Sequence, residues 1–544
     1  MNKETKPNEV DCDNPLGNSD ELISQEIPPG VDRRKFLMRS AVIGAAAVMT
    51  GRFVSAHERT LTAVRESLPV QAPPSVPLDK NLNVVKKGQG PVMTVIDEFY
   101  KVGPGPSSSH TIGPMRITYD FYQRCTKLPA DKLAKATKLQ VNLFGSLSAT
   151  GKGHGTERAS LAGLIGKEPA TVDPLFLDSL RDKPDQTFPV KLGSSTINVS
   201  LKDVIYDATK GDFHHPNTMT VKLLAGNDVL LEQEYYSVGG GFIEWKGYTP
   251  PKKNPPKYPF RTMKELRAHA DNNKLTIAQV MLANEMSIAG RTQEEVYAFV
   301  DKIINAMTAT VKSGLSMSED DVLPGPIKLH SKAATVYKRA MDDPNVADRG
   351  VAMLSACALA ASEENARGHL VITAPTGGSA GVMPSLVYAL IEARKLELQK
   401  VREGMLAAAA IGYLCKHHAT LSAAEGGCQA EIGVASSMAA ALVATAMEAE
   451  SRVVENAAES ALEHHLGMTC DPVAGYVQVP CVERCAFGAV KAWTAYAIAS
   501  NEIASRHRID LDATIQALAE TAKDMNSKYK ETSEAGLALS VTLC

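Results

Sequence analysis

The stretch SAAEGGCQAEIGVASSMAAALVATAMEAE, residues 422–450, decides how the chain is to be read. From Val434 onward it is a run of helix formers without proline and without alternation of apolar and polar side chains, which specifies a helix and not a strand. Its alanines carry little bulk, so neighbouring helices can approach closely. Its first ten residues are a polar, glycine-containing break that holds Cys428. VVENAAESALEHHL (453–466) and FGAVKAWTAYAIASNEIASRH (487–507) have the same helical grammar, and two further breaks between such segments hold Cys470 (LGMTCDPVAG) and Cys481 (VQVPCVERC). Thiols at helix ends and turns can converge on one point, because loops leave their side-chain directions free and helix N-termini favour the thiolate.

Upstream the grammar changes. KLQVNLFGSL (138–147) and STINVSLKDV (195–204) alternate as half-buried strands do, and TMTVKLLAG (218–226) and EYYSVGGGFI (234–243) continue that character. The expected fold is therefore an α+β domain, an α/β sandwich over residues 91–247, followed by an all-α domain over 275–544. A proline-rich linker, 248–274, separates them.

The 544-residue chain has 22% charged residues and a net charge of −3, which points to neither nucleic acid nor an anionic membrane as a partner. Seven of the nine cysteines fall after residue 350, and in a chain this long such a cluster signals metal binding or catalysis rather than disulfides. At the front, VDRRKFLMRSAVIGAAAVMTGRFVSA places Arg33 and Arg34 before a short apolar run and a small-residue cleavage site. It is too short for a stable membrane span. Residues 33–56 read as a twin-arginine signal, preceded by a disordered acidic leader (1–32) and followed by a linker (57–90). The expected location is periplasmic or exported through the twin-arginine machinery, or cytoplasmic if the signal is not used.

Four loops carry further polar groups. VGPGPSSSHTIGPMR offers Ser107, Ser108, Ser109, His110 and Thr111 between Gly-Pro turns, a loop able to hold a carboxylate. APTGGSAGVMP, with Thr376 and Gly378, opens a helix and is a second anion site. TGKGHGTERA and DFHHPNTM add His154 and His215. Three thiolates are one short of the usual set for an iron–sulfur cube, which leaves one iron open for Lewis-acid chemistry.

Together GPSSSHTIGPM, GSLSATGKGHGT, HHPNTM, YYSVGGGF, LPGPIK, APTGGSAGV, GCQAEIGVASSMAAA, EHHLGMTCDPVAGYVQVPCVER and KDMNSKYKETSEAGLAL closely resemble the iron–sulfur-dependent L-serine dehydratases (L-serine ammonia-lyases), in their single-chain form, over residues 91–544. The resemblance implies a substrate-binding α/β domain against a helical catalytic domain, a [4Fe–4S] cluster on Cys428, Cys470 and Cys481, an amino-acid substrate and a homodimer. It also implies that Cys544, in a tail resembling that of related enzymes, is the fourth cluster ligand at rest. His154 is expected to be the base, with His215 and His110 as rivals, either as carboxylate binders or as the acid. Two departures stand near the expected site: Thr376-Gly377-Gly378 replaces the usual Thr-Asn-Gly, and LSAAEGGCQ replaces a Ser-Gly-Ala-Glu-Val-Gly-Cys-Gln pattern. Cys485 stands where the family usually has asparagine. No Schiff-base lysine motif accompanies a phosphate-binding glycine loop, so pyridoxal phosphate is not expected. The alternatives are a lyase of the same fold acting on another amino acid such as L-cysteine, and a non-catalytic cluster-bearing sensor of amino acids or oxygen.

Overall fold

The computed structural model describes residues 90–540 except 210, 212, 250 and 251. The leader, the twin-arginine signal, the first linker up to residue 89 and Cys544 lie outside the described residues.

Two cores organise the chain. The first belongs to a mixed five-stranded sheet. In chain order the elements are β1 (Lys101–Pro104), α1 (Gly113–Cys125), β2 (Lys138–Leu143), α2 (Gly145–His154), α3 (Thr156–Leu164), α4 (Pro174–Asp182), β3 (Phe188–Leu192), β4 (Ser195–Val199), β5 (Val204–Tyr206), β6 (Thr218–Ala225), β7 (Asp228–Ser237) and β8 (Ile243–Trp245). The sheet order is β5-β2-β6-β7-β8, with β2 and β5 parallel and the other pairs antiparallel. The alternation read from the sequence is realised here: Leu139, Val141 and Leu143 of β2 and Met219, Val221 and Leu223 of β6 are buried. Helix α1 packs on β6 and β7, with α3 beside it. A Cβ added at Gly163 of α3 would fall 2.1 Å from Thr118 Oγ1 of α1, so only glycine permits that approach.

The second core is helical: α5 (Met263–Asn273), α6 (Ile277–Ala289), α7 (Gln293–Leu315), α8 (Ala333–Asp342), α9 (Val346–Arg367), β9 (Leu370–Thr373), α10 (Val382–Tyr388), α11 (Leu398–His418), α12 (Ile432–Ala446), α13 (Ser451–Glu463), α14 (Cys481–Ala499) and α15 (Leu511–Asp524). Every residue of α12 is buried, and it packs against α11, α13 and α14. Its small side chains make this possible; a Cβ at Gly404 of α11 would already stand 2.7 Å from Leu442 O. The segment Cys428–Ala446 is long and apolar enough to cross a membrane, but it is wholly buried inside the protein.

Three boundaries differ from those expected. The linker drawn at 248–274 ends early, because α5 begins at Met263 behind Thr262, whose hydroxyl accepts the Glu265 N–H at 3.1 Å. The prolines upstream obscured the helical spacing of Met263, Leu266 and Ala270, all buried. The second region is not purely helical: β9 pairs antiparallel with β1, Lys101 opposite Thr373. Four residues are too few to display a period. Finally, residues 91–100 do not join the sheet core. Val92, Ile96, Phe99 and Tyr100 pack into the helical core, where buried Glu285 accepts the Ile96 N–H at 3.0 Å and the Tyr413 hydroxyl at 2.9 Å.

Candidate active site

The helical region supplies the thiols. Gly427, at φ 71° and ψ −174°, turns the chain so that Cys428 opens a short 3-10 turn leading into α12. A side chain there would strike Met468 O at 2.7 Å, and Gln429 N donates to the same carbonyl at 3.1 Å. That close approach brings Cys470 beside Cys428. Cys481 is the first residue of α14. Cys428, Cys470 and Cys481 are all buried and line one cavity with about 340 Å³ of atom-free space, together with Glu431, Glu531, Ser107, His154 and Gly378. The ligand atoms of Cys428, Cys470 and Glu431 lie within 4.8 Å of one another. Arg484, one turn into α14, donates to Thr469 O at 2.7 Å and to Asp471 at 3.4 Å. Burial opposes its charge, but the three thiols raise its pKa on balance. A hydrogen bond with Cys470 lowers the pKa of Cys428, whereas burial raises that of Cys481.

The sheet region supplies the hydroxyls and histidines. Ser107 caps the turn Ser108–Ile112 that leads into α1, its Oγ accepting the His110 N–H at 3.1 Å. The Ser146 hydroxyl donates to Glu531 O at 3.0 Å, so it accepts from His110 Nε2 at 3.1 Å. His110 Nδ1 therefore accepts the Ser109 hydroxyl at 2.9 Å. Both ring nitrogens are engaged. His154 is different. It ends α2, where Gly155 takes φ 64° in the left-handed region, and Thr111 holds its carbonyl at 2.8 Å. Its Nδ1 donates to Thr150 O at 2.8 Å, which leaves the Nε2 lone pair free. That atom is buried without a hydrogen-bond partner and stands 3.7 Å from Glu531 Oε1. The His110 and His154 rings lie 4.6 Å apart. Burial lowers the pKa of His154 to about 4, against a small opposing effect of the Thr150 carbonyl, so the ring is neutral at pH 7.

His215 is not brought to the thiols. Its Nδ1 accepts the Asn217 N–H at 3.0 Å, and its Nε2 faces Glu425 at 3.3 Å. Of the three loop serines, Ser107 lines the cavity, Ser109 serves His110, and Ser108 presents its backbone N–H to Gly377. Thr376 lies behind Glu431 and bonds to it, while Gly378 faces the cavity. Cys485 donates to Gly378 O at 3.3 Å and does not line the cavity.

The residues fit an iron–sulfur group. Three buried thiols share one cavity, an arginine offsets their negative charge, and His154 Nε2 and Glu531 Oε2 remain unpartnered there. Buried polar atoms without partners are costly and mark a place where a ligand completes the bonding.

The serine dehydratase beta chain family model matches residues 95–248, and the serine dehydratase alpha chain model matches 272–538. The L-serine dehydratase of Haemophilus influenzae is 38% identical over 82% of this chain and 99% of its own length. One from Escherichia coli is 39% identical over 82% and 98%, and that of Streptomyces coelicolor 38% over 82% and 99%. The chain belongs to the serine dehydratase family.

Within this serine dehydratase, sequence reasoning missed Glu431, Glu531, Ser146 and Arg484. Glu431 had one signal, a lone acid three residues after Cys428 and just ahead of an apolar helix. Glu531, in KYKETSEAG, had only its place in a family-like tail motif, since a charged tail reads as solvated. The Thr-Gly-Gly departure has a packing reason: a Cβ at Gly377 would fall 2.6 Å from Ser108 N. Gly377→Asn, which restores the usual family residue, is expected to push the serine loop outward and cost about 1–3 kcal/mol, read as a lower midpoint in urea unfolding. An unchanged midpoint would show that the two loops are not in contact.

Proposed function

We propose that this enzyme is an L-serine ammonia-lyase that eliminates water from L-serine to give pyruvate and ammonia, and that Cys428, Cys470 and Cys481 hold a [4Fe–4S] cluster. The observation that carries the reading is the free, buried lone pair of His154 Nε2 facing the cavity of the three thiols. Such a cluster supplies an iron without a protein thiolate of its own, a Lewis acid for the hydroxyl on C3.

The chain does the rest. The Ser107 hydroxyl and its loop receive the substrate carboxylate. Glu431 and Glu531 offer carboxyl oxygens to its ammonium group. His154 accepts the Cα proton at Nε2 while its Nδ1–H stays on Thr150 O, which fixes the ring's direction. The C3–O bond breaks as the Cα–H electron pair moves into the new double bond, and the departing hydroxide takes the proton that His154 collected, leaving as water and returning the ring to its neutral form. The aminoacrylate then tautomerises and adds water to release ammonia. Burial of the site keeps bulk water from the acidic Cα–H until that point.

Pyruvate formation by anaerobically purified, iron-reconstituted protein tests the reaction. Alanine at any of the three cysteines is expected to remove the brown absorbance together with activity. His154→Ala is expected to keep that absorbance and lose at least about 100-fold in kcat. Loss of iron from His154→Ala would make the residue structural. The pH profile gives an independent measurement. Because burial disfavours the charged ring, protonation waits for lower pH, so kcat/KM should stay level from pH 7 to about 5.5, where an ordinary histidine is about nine-tenths protonated.

Two readings concern residues outside the described part. Arg33 and Arg34 are proposed to route the folded protein to the twin-arginine machinery; lysine at both should leave it in the cytoplasmic fraction, and wild-type fractionation would refute this. Cys544 is proposed to cap the open iron at rest. Supporting this, the tail up to Ser540 lies against the Cys470 loop, with Leu537 N donating to Asp471 at 2.7 Å and Ser533 to Pro472 O at 2.7 Å. Tethering gives the thiol an effective concentration of about millimolar. Cys544→Ser is expected to lose iron faster in air and to shorten any lag in turnover; an unchanged cluster lifetime would exclude the cap.

A further inference from the structure

His154 lines a second cavity as well, larger than the first with about 1150 Å³ of atom-free space against about 340 Å³, and without cysteines. Lys152, Arg158, Arg181 and Arg367 bring four cations to it, against Glu157 and Asp178. Arg367 is already neutralised by Asp321 and, at 3.1 Å, by Glu364. The others are not. Arg158 and Arg181 share Asp178 at 3.9 and 3.1 Å. Glu157, 3.9 Å from Arg158, accepts the Tyr206 hydroxyl. Lys152 lies 5.8 Å from the Tyr206 ring and makes no ion pair among the described residues.

Of these three cations Arg158 is the most deeply buried. Its side chain is only 16% exposed and donates to Leu177 O at 3.3 Å. Gly155 lets the guanidinium lie against the turn that carries His154, since a Cβ there would stand 2.5 Å from Nη2. Burial, and then Arg181, lowers its pKa on balance, against the opposing pull of Glu157 and Asp178.

A planar, largely buried guanidinium in a cavity that other cations line recognises carboxylate and phosphate oxygens. We propose that this cavity is an anion site for a small carboxylate or phosphate, and that pyruvate released beside His154 is its occupant in the working enzyme. The choice of pyruvate rests on the reaction proposed above; the anion site does not. L-Serine is a zwitterion without net charge, whereas pyruvate is an anion, so an excess of positive charge beside the base favours product over substrate. The cavity then draws the carboxylate away from the thiols and makes the enzyme sensitive to its own product.

The test is calorimetric titration of the full-length, cluster-loaded protein with pyruvate, with inorganic phosphate, and with L-alanine as an uncharged zwitterion. Pyruvate is expected to bind, more weakly as ionic strength rises, and Arg158→Gln is expected to weaken it by about tenfold or more while leaving L-alanine unaffected. Arg181→Gln, on a more exposed side chain, should act in the same direction and decides the matter if the Arg158 variant does not fold. Phosphate binding that depends on Arg158 while pyruvate binding does not would keep the anion site and overturn pyruvate as its occupant. If neither anion responds to either substitution, the proposal falls. Arg158-dependent anion binding in a protein that makes no pyruvate from L-serine would strike the proposed reaction and leave the anion site standing.

Discussion

Cys470 donates its backbone N–H to Tyr529 O at 2.8 Å and accepts that of Glu531 at 2.9 Å. This two-bond exchange, a parallel bridge centred on Lys530, brings a tail segment against the cysteine loop, and most of the site follows from it. It turns the Glu531 side chain inward beside His110 and His154. It also places Glu531 O where Ser146 can donate to it, and that bond decides which nitrogen of His110 carries the hydrogen. Backbone bonds between loops thus set the tautomer of a side chain in a different part of the chain. A loop held by its backbone tolerates little drift, and such precision matters where a proton must move between fixed atoms.

The cost of this arrangement is carried by the helical core. Each buried polar atom left without a partner costs about 1–3 kcal/mol, and His154 Nε2, Glu531 Oε2 and Gln429 Nε2 all belong to the site or to its supporting turns. Opposing that cost is α12, buried along its whole length among alanines and small polar residues that leave no room for slack. Ser436 and Ser437 illustrate the economy of such packing: each donates to a carbonyl of a neighbouring helix, Gly488 O at 2.8 Å and Ala458 O at 2.6 Å. The candidate site sits where two of these helices begin. Cys428 and Glu431 lead into α12, and Cys481 and Arg484 begin α14 packed beside it.

Much of this was legible in the sequence because the signals were local. Strands β2 and β6 show their buried faces by alternation, α12 by uninterrupted helix formers, and Ser107 by its place in a hydroxyl-rich loop between Gly-Pro turns. The cysteines stood out because each interrupts an apolar pattern with a polar turn. What escaped depends on tertiary burial. Nothing in the residues around Glu531 distinguishes a carboxylate that folds back into the core from one in water. His215 was a plausible base from its loop, yet its Nδ1 is taken by Asn217 and its Nε2 faces the distant Glu425 and not the thiol cavity. Helix α5 was hidden by the prolines before it, and β9 by being only four residues long. The contact between β1 and β9 is likewise invisible locally, since antiparallel pairing of two short strands so distant in sequence is fixed by the cores on either side.

The departure at Thr376-Gly377-Gly378 looks at first like the loss of a binding group, but the packing gives it another meaning. With no side chain at Gly377, the helical loop meets the serine loop backbone to backbone at Ser108, so two regions that would otherwise be bridged by an amide are in direct contact. Gly378 continues the same logic on the other side, where a Cβ would stand 2.8 Å from Glu431 Oε2. Thr376, just ahead of both glycines, hydrogen-bonds to Glu431 and to Ser379. The loop therefore acts on the site through the positions of Ser107 and Glu431, both of which face the cavity. A residue that positions two others can be exchanged for closer packing without altering the groups that line the cavity, and here Ser107, Glu431, Glu531 and His154 still line it together.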